Sequence, residues 1–195
     1  MGKSKYIAEI ENFIKKSPVV NAKSIIRIIN SKKRTKQYQK LLLKRLVDSG
    51  KIKRITKGYY TIHDNVLLTV FCFTPAYLGL QEALSFHNLW EQETIPVIIT
   101  PKKVRQGIRR VFNTNVMIRR IDRRYFLGIE YKKEGNFYFP YSDLEKTFID
   151  MVYFNQLINK ETISNIKRLY DRKKLLRYLK MYPKRFKDRV LYLIE

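Results

Sequence analysis

Lys51-Ile52-Lys53-Arg54-Ile55-Thr56-Lys57-Gly58-Tyr59-Tyr60-Thr61-Ile62 decides the fold of the first third of the chain. Two β-prone flanks close on the tight Thr56-Lys57-Gly58 turn, where glycine supplies the backbone conformation a short hairpin needs. Working backwards, Gly50 is a C-terminal stop for a helix over residues 36–49 with Tyr38, Leu42, Leu43, Leu46 and Val47 at inward positions. Residues 30–35 form a polar, basic turn. Asn21 is placed to cap a second short helix carrying Ile25, Ile26, Ile28 and Ile29. Tyr6, Ile7, Ile10, Phe13 and Ile14 space a first helix that stops before Ser17-Pro18. Three helices followed by a basic hairpin predict a winged helix-turn-helix over residues 1–62.

Charge agrees with that reading. The 195 residues carry a formal net charge of +24, with 45% hydrophobic and 13% aromatic content, so the chain packs a core and still needs an anionic partner. Nucleic acid is the commonest such partner, ahead of an anionic membrane surface and an acidic protein. Residues 1–62 hold 17 Lys and Arg against three acids (Glu9, Glu11, Asp48), a net +14; the remaining residues hold 24 against 14, a net +10. The excess is concentrated where the hairpin lies, as an electrostatic footprint should be. Cys72 is the sole cysteine, which excludes a disulfide framework and points to a reducing compartment. The most apolar run, residues 66–80, contains Pro75 and is too short to span a bilayer. With no apolar signal core at the N-terminus, a soluble cytoplasmic protein without membrane contact is expected.

Past His63-Asp64-Asn65 the pattern changes, and residues 66–195 are expected to form a second, mixed α/β domain. Residues 66–73 read as a buried strand, and Pro75 opens a helix to about Trp90. Residues 95–100, 111–121 and 125–131 read as strands, and Gly135-Asn136 turns into Phe137-Tyr138-Phe139. Ser142-Asp143-Leu144-Glu145 has the form of a capping box, with Ser142 as the cap of an apolar helix to about Phe154. Two or three short basic helices follow, the last two separated by Pro183. The predicted class is α+β: an N-terminal winged helix-turn-helix, then a mixed α/β domain with C-terminal helices.

A helix-turn-helix reads DNA with the N-terminal half of its third helix in the major groove. Here that half offers Thr35, Lys36, Gln37, Gln39 and Lys40, with Lys44 one turn on. Gln pairs bidentately with adenine and Lys with the acceptor edge of guanine. Lys32, Lys33 and Arg34 in the turn are assigned to phosphates, which position without specifying. The hairpin adds Lys53, Arg54 and Lys57 for the minor groove or flanking phosphates, and Tyr59 for a sugar. The expected partner is double-stranded DNA, with no metal and no cofactor.

Across residues 5–154 the chain resembles the AbiEi-type antitoxin family of predicted transcriptional regulators of viral defence systems. The resemblance rests on Lys53-Arg54-Ile55-Thr56-Lys57-Gly58-Tyr59-Tyr60, Glu82-Ala83-Leu84-Ser85-Phe86-His87-Asn88-Leu89, Ile95-Pro96-Val97-Ile98-Ile99-Thr100-Pro101 and Asp143-Leu144-Glu145-Lys146-Thr147-Phe148-Ile149-Asp150, in that order. The chain departs from the family in having Asn88 where Gly is usual, and in its basic C-terminal helices. The resemblance implies binding to inverted repeats in the chain's own promoter, with repression of the operon. It also implies counteraction of a nucleotidyltransferase-like toxin in a type IV system, where no stable complex is required. Read from the residues alone, His87 is a satisfied core or hinge histidine, Asp143 and Glu145 are helix-start residues, and Asp150 bonds to a neighbouring backbone group or arginine.

Two alternatives stand beside this. One is a winged-helix regulator unconnected to any toxin. The other is a metal-dependent nuclease holding Mg²⁺ with Asp122 and Glu130 while Lys132 steadies the attacking water. No Gly-rich phosphate loop, zinc ligand set or Gly-Ser with paired Asp is present, so no enzyme is the expected outcome.

Overall fold

A computed structural model describes residues 9–10, 12–30 and 36–195. The chain is α+β and divides into two compact units, Met1–Cys72 with Val111–Asn113, and Phe73–Arg110 with Thr114–Glu195.

In the first unit residues 9–10 and 12–15 are helical. Then come β1 (Val20–Asn21), α1 (Ala22–Asn30), α2 (Lys36–Asp48), β2 (Lys53–Thr56) and β3 (Tyr59–Thr61). Asn21 caps α1: its side-chain oxygen accepts from the Ser24 N–H at 2.9 Å. Gly50, with φ +69°, ends the turn after α2, its N–H bonded to the Val47 carbonyl at 2.9 Å. The three strands form an antiparallel sheet in the order β1-β3-β2. Ile10, Ile14, Val20, Ile25, Leu42, Leu43, Leu46 and Ile52 close the core beneath it.

The two units divide after Cys72, not at residues 63–65. Val66–Phe73 is a 3-10 helix, where a strand was expected. Asn65 starts it, its side chain accepting from the Leu67 N–H at 2.8 Å and its carbonyl from the Leu68 N–H at 3.3 Å. A continuous apolar run carries no period that separates strand from buried helix.

The second unit is a six-stranded mixed sheet in the order β6-β7-β5-β4-β9-β8, with β4 at Tyr77–Leu78, β5 at Val97–Thr100, β6 at Gly107–Val111, β7 at Thr114–Arg120, β8 at Ile129–Glu134 and β9 at Phe137–Ser142. β5 runs parallel to β7 and antiparallel to β4, and all four of its residues are buried. That explains its unbroken Val-Ile-Ile-Thr sequence. The helix expected from Pro75 is only α3 (Gln81–Phe86); Tyr77 and Leu78 pair in the sheet instead, and Leu80 at φ +58° precedes the helix. The strand expected at 111–121 is β7, beginning only at Thr114; β6, at residues 107–111, was not expected, and the turn between them passes through Phe112 (φ +52°), which no Gly or Pro announces. The strand expected at 125–131 begins only at Ile129, because Arg123–Tyr125 is a 3-10 turn capped by Asp122.

Four helices complete the unit: α4 (Leu144–Tyr153), α5 (Lys160–Leu169), α6 (Arg172–Leu179) and α7 (Lys184–Ile194). Asp143, not Ser142, caps α4, accepting from the Lys146 N–H at 2.9 Å. Ser142 is still in the sheet, paired with Ile129, so the helix starts one residue later. Phe148, Ile149, Met151 and Val152 of α4 join Ile166, Leu175, Leu179, Val190 and Ile194 and the sheet residues Tyr77, Val97 and Ile99 in one core. Among the described residues no helix is long and apolar enough to cross a membrane.

Candidate nucleic-acid interface

α2 has a sharp division between its faces. Leu42, Leu43 and Leu46 are buried, while Gln37, Lys40, Leu41, Lys44, Arg45 and Asp48 are exposed. Gln37, Lys40, Leu41 and Lys44 stand at i, i+3, i+4 and i+7, so they form one stripe down the outer face. Three residues assigned to DNA from sequence are therefore brought together: Gln37, Lys40 and Lys44. Lys32, Lys33, Arg34 and Thr35 lie outside the described residues, as do the side chains of Lys36 and Gln39.

The hairpin is tied to the helices by backbone bonds. The Ile52 N–H donates to the Leu46 carbonyl at 3.2 Å, which fixes where β2 leaves α2. At the other end the Ala22 N–H donates to the Gly58 carbonyl at 2.7 Å, joining the hairpin tip to the start of α1. Thr56 pairs with Tyr59 across the two-residue Lys57-Gly58 turn, where Gly58 has φ +82°. That angle, not lack of room, demands glycine: a Cβ there would meet nothing within 4 Å. Arg54 and Lys57 are exposed, and Tyr59 is half-buried. Lys53 differs from Arg54 and Lys57 in that its ammonium pairs with the Asp64 carboxylate.

The residues singled out in the second unit have hydrogen-bond or ion-pair partners within it. Asp122 accepts from the Arg124 backbone N–H at 2.9 Å and from its guanidinium at 3.0 and 3.1 Å; these bonds hold its carboxyl below the usual value. Glu130 pairs with Lys132 at 3.5 Å on β8. Among the described residues no group of three His, Cys, Asp or Glu side chains could hold a metal ion. His87 Nε2 is 3.1 Å from the Ser142 carbonyl, as a satisfied histidine should be.

What the sequence did not announce is a charged network around α4. Lys146 and Asp150 are both fully buried and ion-paired one turn apart. The Tyr77 hydroxyl donates to Asp150 at 2.7 Å, so the carboxylate bonds to Lys146 and Tyr77 and not to the backbone group or arginine expected. Burial pushes Lys146 below its ordinary pKa and Asp150 above its own, and each partner's charge works against that. Lys174 reaches Asp143 at 3.1 Å and Glu145 at 2.9 Å, and the Tyr178 hydroxyl donates to Asp143 at 2.7 Å. Gly128 (φ +66°) lets this assembly close, for a Cβ there would stand 2.7 Å from Lys146 Cβ and 2.9 Å from Tyr178 Cε2.

No protein-family model matches the chain, and no curated protein is similar to it. Among solved structures, that of the Rv2827c protein from Mycobacterium tuberculosis has a similar fold. The TM-score is 0.63, at 11% identity over 98% of this chain and 75% of that one. At that identity the likeness speaks for the fold alone.

Two residues of the candidate interface escaped the sequence reading. Arg45 and Leu41 are both exposed on α2. Arg45 was legible as one more base at i+8 of the Gln37 stripe. Leu41 was hidden in a run of three leucines, and only the burial of its two successors tells it apart.

Proposed function

We propose that this chain is a sequence-specific DNA-binding transcriptional repressor of its own operon, working in the cytoplasm. Residues 1–62 act as a winged helix-turn-helix, α2 as the recognition helix and β2–β3 as the wing. The observation that carries this is the Gln37-Lys40-Lys44 stripe on α2, with an exposed Arg54 and Lys57 on a hairpin bonded to that helix's end. Base-reading and phosphate-holding groups thus sit on the two elements such a fold uses to grip DNA. Asp64 takes part of the charge of Lys53, so Lys53 contributes less than Arg54 and Lys57.

The second half of the proposal is that the chain is an antitoxin of the AbiEi type, opposing a nucleotidyltransferase-like toxin without a required stable complex. Asn88 supports the resemblance at its point of departure. It adopts φ +58° where the family has Gly, and Asn is the residue that best replaces glycine in that conformation. The buried network of Asp143, Glu145, Lys146 and Asp150 explains the acidic motif as a scaffold, leaving neutralisation to other surfaces.

Fluorescence anisotropy with a duplex from the chain's own upstream region, against a shuffled duplex of equal length at two salt concentrations, tests the first half. A tenfold or greater preference that persists at the higher salt is expected, with a log–log salt slope of about −7 if eight phosphates are neutralised. Equal, steeply salt-sensitive binding to both would remove the repressor. Rescue of growth from a co-expressed neighbouring toxin tests the second half, and failure to rescue leaves a regulator unconnected to a toxin.

A further inference from the structure

Leu41, Leu42 and Leu43 follow one another on α2, yet they are 46%, 9% and 7% exposed. Leu42 and Leu43 belong to the core of the first unit, and Leu41 does not. An apolar side chain left in water forfeits the transfer free energy that burial would supply. Its surroundings are not those of a scattered surface leucine. Gln37 stands four residues before it, Lys40 next to it, and Lys44 and Arg45 three and four residues after, all exposed. Leu41 is the apolar centre of a polar, cationic stripe.

From this placement we infer that Leu41 is a specificity-determining residue that packs on the C5-methyl group of a thymine in the major groove. The inference rests on the reading of α2 as the recognition helix. Thymine is the one base whose major-groove edge presents a methyl group, and an aliphatic side chain is the group that rewards its presence. Gln37 and Lys40 satisfy polar base edges but gain nothing from a methyl. One turn of helix advances about 5.4 Å, so Leu41 meets a base beside the one Gln37 reaches. The stripe then reads an adjoining pair: a hydrogen-bonding edge through Gln37 or Lys40, and a methyl through Leu41. On the DNA surface the leucine is covered by the ligand itself, which accounts for its exposure in the free protein.

Deoxyuridine differs from thymidine by that methyl alone and is the probe. A preferred duplex is first selected from a random pool with the full chain. Its thymines are then replaced one at a time by deoxyuridine, and binding is measured by anisotropy for the parent protein and for Leu41→Ala. One thymine, or a symmetry-related pair, is expected at which the replacement weakens the parent about fourfold, the worth of one buried methyl. Leu41→Ala should bind the thymine and uracil duplexes alike, near the parent's affinity for the uracil form. Leu41→Val, which keeps a branched aliphatic group, should retain part of the discrimination. Thermal melting checks that the variants fold, which the exposure of Leu41 favours. A selected duplex on which every replacement costs parent and Leu41→Ala equally overturns the inference and leaves the repressor standing. The same result with a change of oligomeric state in Leu41→Ala assigns Leu41 to contact between copies. Failure to select any duplex overturns both.

Discussion

α2 and α4 use the same residue types for opposite ends. α2 turns Lys40 and Lys44 to solvent and Leu42, Leu43 and Leu46 inward, whereas α4 buries Lys146 and Asp150 together with Phe148 and Ile149. Lys40 and Lys44 cost the first unit almost nothing and leave their charge available to a partner. Lys146 has lost its water, and Asp150 and the Tyr182 hydroxyl, 3.4 Å away, replace it. A lysine in this chain is thus open to a partner or committed to the fold according to whether a carboxylate already holds it. Lys53 on the hairpin lies between the two, paired with Asp64 but partly open.

The largest effect that follows from this contrast is on α4. Lys146→Met leaves Asp150 buried without its counter-charge and should cost about 3–5 kcal/mol in urea unfolding. Because a buried pair is often no better than apolar residues of the same size, Lys146→Met with Asp150→Leu should recover most of the loss. A single variant as stable as the parent would break the contrast, since Lys146 would then be no more structural than Lys40.

The two helices also differ in how far they could be read. The period of α2, its Gly50 stop and the Asn21 cap of α1 were all visible, because an amphipathic helix at a surface must display its period. The sequence marks α4 as a helix but marks neither its cap at Asp143 nor its buried ion pair. Asp150 reads as bonding to a neighbouring backbone group or arginine because nothing in Lys146-Thr147-Phe148-Ile149-Asp150 marks Lys146 as internal. Only Tyr77, from a strand far away in sequence, and the covering helices make it so. Val66–Phe73 failed for a related reason, as burial on all sides erases periodicity. Of the proposed interface, the lysines were legible and Leu41 was not.

Glu82 of α3 sharpens the comparison with a carboxylate that has no ion-pair partner among the described residues. Burial, and then the like charge of Glu134, raise its pKa from 4.5 to about 7. Glu134 itself accepts from the Tyr141 hydroxyl at 2.7 Å. A carboxyl whose folded pKa lies above its unfolded one contributes stability that is present at low pH and is lost as pH rises through the folded value. Stability should therefore decline between about pH 4.5 and 7 on account of this group. Glu82→Gln should flatten that decline and raise stability at pH 8 by about 2 kcal/mol, a figure reduced for the partial exposure of the side chain. Parallel pH profiles for the two proteins would show that Glu82 is better compensated than its surroundings indicate.

The smallest expected change in stability is on α2, and its smallness is informative. Lys40→Met with Lys44→Met removes two exposed charges that have no ion-pair partner among the described residues, so unfolding free energy should move by no more than about 0.5 kcal/mol. DNA binding should respond strongly. Removing two phosphate contacts should reduce the magnitude of the log–log salt slope by about 1.8. If Lys40 reads a base edge and Lys44 a phosphate, the slope should fall by only about 0.9, and the preference for the upstream duplex over the shuffled one should shrink as well. A slope unchanged from the parent's would place DNA on another face of the first unit. A large loss of stability would mean that these lysines, like Lys146, are held by the protein itself, and the distinction between α2 and α4 would dissolve.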